Sequence, residues 1–181
     1  MSVKKHYPIG IIAITTITLF SCNSQNKNGA SLQSEKNNTK DTTIVLKDYG
    51  NKPTVLDIES YTLNNNNFRT VLWTGSNLQV TLMSIPVGGD IGLELHPNID
   101  QFLRIEEGEG RVMMGDAEDN LDFVQTVKAD NAVFVSAGKW HNIVNTGDKP
   151  LKLYSIYAPA EHPHGTIHKT QAEAIEAEHH H

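Results

Sequence analysis

The sequence predicts an all-β domain, a sandwich or barrel. Three observations point there. From residue 44 onward, short runs rich in Val, Ile, Leu, Thr and aromatic residues alternate with Gly, Asn, Asp and Pro at close spacing, as strands and turns do. Reversal chemistry recurs between the runs, at Pro86-Val-Gly88-Gly89, Gly108-Glu-Gly110, Gly115-Asp116 and Gly147-Asp148. The pattern also lacks the regular alternation of strands with long helices that a doubly wound α/β fold requires.

Taken in order, residues 44–47 and 55–58 are short β-prone runs that open the domain. Residues 68–73 and 78–85 follow, the second closed by the Pro86 turn. Residues 92–96 and 101–106 flank a Pro-Asn turn, and Gly108 reverses the chain into 111–114. Residues 121–127, 132–135, 141–145 and 151–157 complete the strand set. One helix is expected near the end. Thr170, with Glu173 three positions on, is a capping-box signature opening Gln171-Ala-Glu-Ala-Ile-Glu-Ala.

The N-terminus does not belong to this fold. Lys4 and Lys5 make a positive start, and residues 9–20 form an apolar run of signal-peptide length. That run is shorter than the roughly 18 residues a membrane-spanning helix needs. It ends in Leu19-Phe20-Ser21-Cys22, which resembles a bacterial lipobox. Cys22 would then be lipidated and become the mature N-terminus, placing the protein at the cell envelope as a membrane-anchored lipoprotein. The alternative is an ordinary signal peptide with an incidental cysteine.

Cys22 is the only cysteine, so the mature chain has no internal disulfide and must be stabilised by its core. Each acyl methylene buried in the bilayer contributes about 0.8 kcal/mol to anchoring. Residues 23–43 are rich in Asn, Ser, Lys and Gln and read as a flexible tether. Residues 44–178, about 135 in number, suffice for one compact domain and not for two. The whole chain carries −6, and loss of the two leader lysines leaves −8, which argues against a nucleic-acid partner.

Two segments carry the chemistry: Glu94-Leu-His96-Pro-Asn-Ile-Asp-Gln101 and Gly138-Lys-Trp-His141. Together they resemble the two motifs of the cupin superfamily. In the first motif Gly108 closes the pattern, His96 takes the second histidine position, and Glu94 stands where the first histidine is usual. Gln101 stands where the motif has Glu, after the four-residue spacer 97–100. In the second motif Gly138, His141 and Asn145 match, while Asp130 and Ser136 replace the usual Gly and Pro.

The resemblance covers residues 57–159. It implies a cupin-type double-stranded β-helix, or jelly-roll barrel, with a metal held inside by Glu94, His96, Gln101 and His141. It also implies a homodimer as the default assembly. Strand geometry is compatible with this set. Residues two apart share a face, so Glu94 and His96 point the same way, and Gln101 begins the return strand. Two imidazoles, a carboxylate and an amide oxygen suit Fe, Mn, Ni, Zn or Cu and leave a position open for a small molecule. The competing readings are a satisfied strand-end histidine, a surface amide, a solvated carboxylate, and a former metal site now empty.

His162, His164 and His168 crowd the segment after the last strand. They could close the barrel mouth, or simply lie in a surface loop that anchors the helix. Arg69, Arg104 and Lys139 are the basic residues nearest the motifs, and strand parity sets Arg104 opposite Gln101. Trp140 and Phe102 are expected to serve packing or subunit contact. The terminal His179-His180-His181 carries no functional weight. No Ser-His-Asp arrangement, P-loop or dinucleotide fingerprint is present. The function expected is a metal-binding cupin acting on a small molecule, as an oxygenase or a sugar isomerase-like enzyme. The alternative is a non-catalytic small-molecule or metal-binding protein of the envelope.

Overall fold

The computed structural model describes residues 43–179. The leader with Cys22, nearly all of the tether, and the last two histidines lie outside the described residues. Ten strands and two helices follow in the order α1 (Ile58–Asn64), β1 (Arg69–Thr74), β2 (Gln79–Ile85), β3 (Glu94–Leu95), β4 (Asp100–Glu107), β5 (Glu109–Gly115), β6 (Phe123–Lys128), β7 (Ala132–Val135), β8 (Trp140–Asn145), β9 (Leu151–Ala158), β10 (Ile167–His168) and α2 (Gln171–His179). The strands form two antiparallel sheets. One has six strands in the order β10-β1-β2-β9-β4-β7, the other four in the order β3-β8-β5-β6. The expected jelly-roll architecture with a short C-terminal helix is thus observed.

Alternation along each strand divides the interior into two halves. Ile85, Leu103, Ile105, Val112, Val133, Val135, Ile143, Leu151 and Leu153 form a buried apolar cluster drawn from both sheets. The same inward faces continue into buried polar residues: Gln79 and Thr81 on β2, Gln101 on β4, His141 on β8, and Ser155 on β9. The apolar half stabilises the fold, since each fully buried aliphatic side chain contributes about 1.5–3 kcal/mol. The polar half costs desolvation free energy unless its atoms find partners. That cost locates the site.

Two of the expected strands are not strands. Residues 44–47 run irregularly into Asp48, whose carboxylate accepts hydrogen bonds from Gly50 N (2.8 Å), Thr74 N (3.0 Å) and Thr74 Oγ1 (2.6 Å). This hub replaces a ladder. Residues 55–58 lead into helix α1, which sequence reasoning missed. Asp57 caps it by accepting from Ser60 N (3.1 Å) and Ser60 Oγ (2.7 Å), so a short β-prone run is overridden by a local N-cap. Strand β10 was also unforeseen, because its pairing with β1 depends on a partner about 100 residues away in sequence.

Turn positions explain the motif glycines and one departure from them. Gly108 has φ +91, and a Cβ there would lie 3.0 Å from Leu151 Cα, so only glycine fits without displacement. Asp130 has φ +71 and is the only non-glycine with positive φ among the described residues. It occupies the motif position where glycine is usual, and Asp is one of the few other residues that tolerate this region.

Candidate metal centre

Glu94 and His141 are direct cross-strand partners where β3 pairs with β8. His96 lies two residues beyond Glu94 and so faces the same way. The turn before β8 is tied to this segment by backbone. Gly138, left-handed at φ +78, donates its N–H to the His96 carbonyl at 2.8 Å, and Asp100 Oδ1 accepts from Ala137 N at 2.9 Å. The two motifs, far apart in sequence, are therefore fastened side by side.

Three donors converge as a result. Glu94 Oε2 is 3.5 Å from His96 Nε2 and 3.8 Å from His141 Nε2, and the three ligand atoms lie within 4.8 Å of one another. Donor atoms this close together could hold one transition-metal ion between them. The orphaned atoms fit such an ion. His96 Nε2, His141 Nε2 and Gln101 Oε1 are each buried with no hydrogen-bond partner. A buried polar atom left so costs roughly 1–3 kcal/mol, and three together at one end of a barrel call for a cation or equivalent to satisfy them.

Gln101 belongs to this end of the barrel. Its amide nitrogen donates to Ser155 Oγ at 3.0 Å, which leaves the amide oxygen as the orphan. Gln101 pairs directly with Tyr157 across β4 and β9, and the Tyr157 ring stands edge-on to the His96 ring at 5.7 Å. The amide is thereby placed on the inner face, on the same side of the sheet as Tyr157.

The surroundings fix charge and orientation. The Arg69 guanidinium, 2% exposed on β1, lies 3.3 Å from Glu94 Oε1 and leaves Oε2 to the imidazoles. His141 Nδ1 is 3.0 Å from the Lys139 carbonyl, which turns Nε2 inward. Burial holds the His141 imidazole below its ordinary pKa. Burial also works against a charged His96, but the carboxylates of Glu161 and Glu94 on its two nitrogens outweigh this and lift it to about 9. Burial pushes the Tyr157 hydroxyl up, out of the range of a base near neutrality.

These shifts have opposite consequences for stability. The His96 pair contributes fully below pH 6.5, and its contribution is lost as pH rises through about 9. His162, driven down to about 3 chiefly by burial, behaves the other way: its neutral form costs stability as pH falls below 6.5.

The histidine-rich segment after β9 both covers the site and leads to α2, and its three histidines are not gathered. Buried Gln79 clamps its backbone, donating Nε2 to the His162 carbonyl (2.8 Å) and accepting from His162 N (2.9 Å) and Glu161 N (3.3 Å). His162 packs edge-on against Tyr157 at 5.2 Å. His164 lies 3.4 Å from Asp48 at the surface, and His168 sits in β10 opposite Arg69. Glu161, between them, reaches His96 Nδ1 at 3.4 Å.

Sequence reasoning passed over Glu161, Gln79 and Tyr157. Only Tyr157 left a signal, since it shares strand parity with Leu151 and Leu153. Of the three basic residues, only Arg69 enters the site. Arg104 faces away and pairs with Glu106 (3.0 Å) and Asp130 (2.5 Å), and Lys139 pairs with Asp116. Phe102 also faces away, with its ring 5.2 Å from that of the exposed Phe134.

The profile of the cupin domain matches residues 81–157, which span both motifs. The uncharacterized protein YrkC of Bacillus subtilis is 57% identical over 150 residues, 83% of this chain and 79% of that one. Protein L612 of Acanthamoeba polyphaga mimivirus is 37% identical over 118 residues, 65% of this chain and 72% of that one. The crystal structure of BH2720 from Bacillus halodurans superposes with a TM-score of 0.71 at 59% identity, covering 72% of this chain and 98% of the other.

Proposed function

Since the chain belongs to the cupin family, we propose that it holds a divalent transition metal (Fe, Mn, Ni, Zn or Cu) and acts on a small molecule there, as an oxygenase or isomerase-like enzyme. Glu94, His96 and His141 are the ligands, with Gln101 Oε1 the fourth donor. One observation carries this reading: two buried imidazole Nε2 atoms gather round the Glu94 carboxylate with no hydrogen-bond partner, and the buried Gln101 amide oxygen likewise has none.

A bound ion would supply Lewis-acid polarisation or oxygen activation. The chain's own residues do the rest. Arg69 orients Glu94 and balances its charge, and Gln101 is steadied by Ser155. A cavity of about 390 Å³ abuts the centre and is lined by Arg69, Glu161, His162, Thr166 and His168. Two of these side chains touch the ligands themselves, so a small polar molecule seated in the cavity would lie beside the ion.

The second reading, capture without turnover, is favoured by a different observation. Among the side chains that line the adjoining cavity, His162 is held far below neutrality, at about 3, whereas general acid–base work favours a pKa near the working pH. Elemental analysis of the purified full chain is expected to find about one transition-metal ion per chain. Because the ion must displace a proton from His96, apparent affinity is expected to rise about tenfold per pH unit between roughly pH 6.5 and 8.5. Metal-loaded protein would then be tested for oxygen uptake with diols and diketones and for isomerisation of simple sugars. Turnover favours the enzyme, and tight ligand retention without turnover favours the binder. Failure to bind any of the five metals ends the metal-dependent enzyme and the metal binder alike, and leaves only metal-free capture of a small molecule.

We also propose anchoring at the cell envelope through Cys22, supported by the leader and its lipobox-like end. Cells fed an alkyne fatty acid should label the wild-type chain and leave Cys22→Ser unlabelled. Equal labelling of the two would remove this reading.

A further inference from the structure

We propose that Glu161 is a positioning residue for the metal centre: its carboxylate accepts the Nδ1–H of His96 and so presents Nε2 to the ion. The proposal rests on the metal reading above and adds the covering segment to it. His96 and His141 face the same requirement, because an imidazole binds a metal through one nitrogen only if the other is held as a donor. His141 meets it within its own turn, with Nδ1 at 3.0 Å from the Lys139 carbonyl. His96 meets it through a carboxylate instead. Its Nδ1 faces Glu161 Oε1 at 3.4 Å, while Nε2 faces Glu94 Oε2 at 3.5 Å.

The placement of Glu161 is built by the fold. The Gln79 amide, fully buried on β2, holds the backbone of residues 161 and 162 through three hydrogen bonds. Tyr157 stands edge-on to both His96 and His162, which limits rotation of the His96 ring. The Glu161 side chain itself remains 31% exposed. Its one polar contact of consequence is with His96. An ion held by His96 is therefore held more tightly with the segment after β9 in this position, which couples metal retention to that segment.

The test compares zinc binding by the full-length wild type, Glu161→Ala and Glu161→Gln. Glu161→Ala is expected to weaken zinc binding about 10- to 100-fold, the usual cost of losing such a partner. Glu161→Gln keeps an acceptor oxygen and is expected to recover most of that loss. In ¹⁵N NMR of the zinc-loaded wild type, His96 should show a protonated Nδ1 protected from exchange, and this signal should vanish in Glu161→Ala. A merely structural role would not move it selectively. Wild-type affinity and an unchanged His96 signal in Glu161→Ala would overturn the assignment alone. If the wild type takes up no zinc or other metal, the metal reading fails and this inference fails with it.

Discussion

His141→Ala is expected to lose metal altogether under conditions where the wild type is loaded, with affinity falling more than about a hundredfold, beyond what loss of an outer partner costs. The reason is geometric. His141 is 1% exposed, its Nε2 has no protein partner, and its direct cross-strand neighbour is Glu94. Truncation deletes one of the two nitrogen donors and leaves a cavity that no neighbouring ligand can fill from its own strand. The metal-free variant should also lose some thermal stability, from the broken Nδ1–Lys139 hydrogen bond and the cavity left behind, but it should still fold. Titration with zinc or cobalt(II) followed by calorimetry checks both. Retention of near-wild-type affinity would show that the ion, if bound, sits elsewhere.

The largest effect on folding is expected at Asn145, another motif residue with no part in the ion cage. Its Nδ2 donates to the carbonyls of Ile85 and Lys149, each at 2.9 Å, and its Oδ1 accepts from Gly147 N at 3.0 Å. The side chain is 2% exposed, so water cannot replace these partners. Asn145→Ala is expected to cost on the order of 3 kcal/mol, from three lost hydrogen bonds and newly orphaned backbone groups. That corresponds to a drop of roughly 10 °C in Tm for a domain of this size. Metal affinity per folded molecule should be unchanged, because the disruption lies at the turn after β8, remote from the ligand end of that strand. Thermal melts read beside a zinc titration separate the two effects.

Much of the fold was open to reading because its strands obey local rules. Nine runs between 68 and 157 are rich in β-branched, aliphatic and aromatic residues and end near Gly, Pro or Asp turns. The structure places a strand in every one, with ends shifted by a residue or two. Of the two failures before residue 60, one has a local cause, the Asp57 cap, which competes with β propensity through side-chain hydrogen bonds; the other, the Asp48 hub, depends on Thr74, 26 positions away, and so on tertiary structure.

Donor identity in the site was legible for the same reason. The spacing of Glu94 and His96 puts them on one face, and Gly138 before His141 marks the turn that delivers it. What the sequence determined by itself is the strand period, the turns and the chemical types of the donors, since these depend on residues within a few positions of one another. The tertiary structure alone decided that Arg69 pairs with Glu94, that Gln79 pins the covering segment, and that Glu161 meets His96. Each of those contacts joins residues 25 to 83 positions apart, and no local preference encodes a distance that only sheet pairing sets.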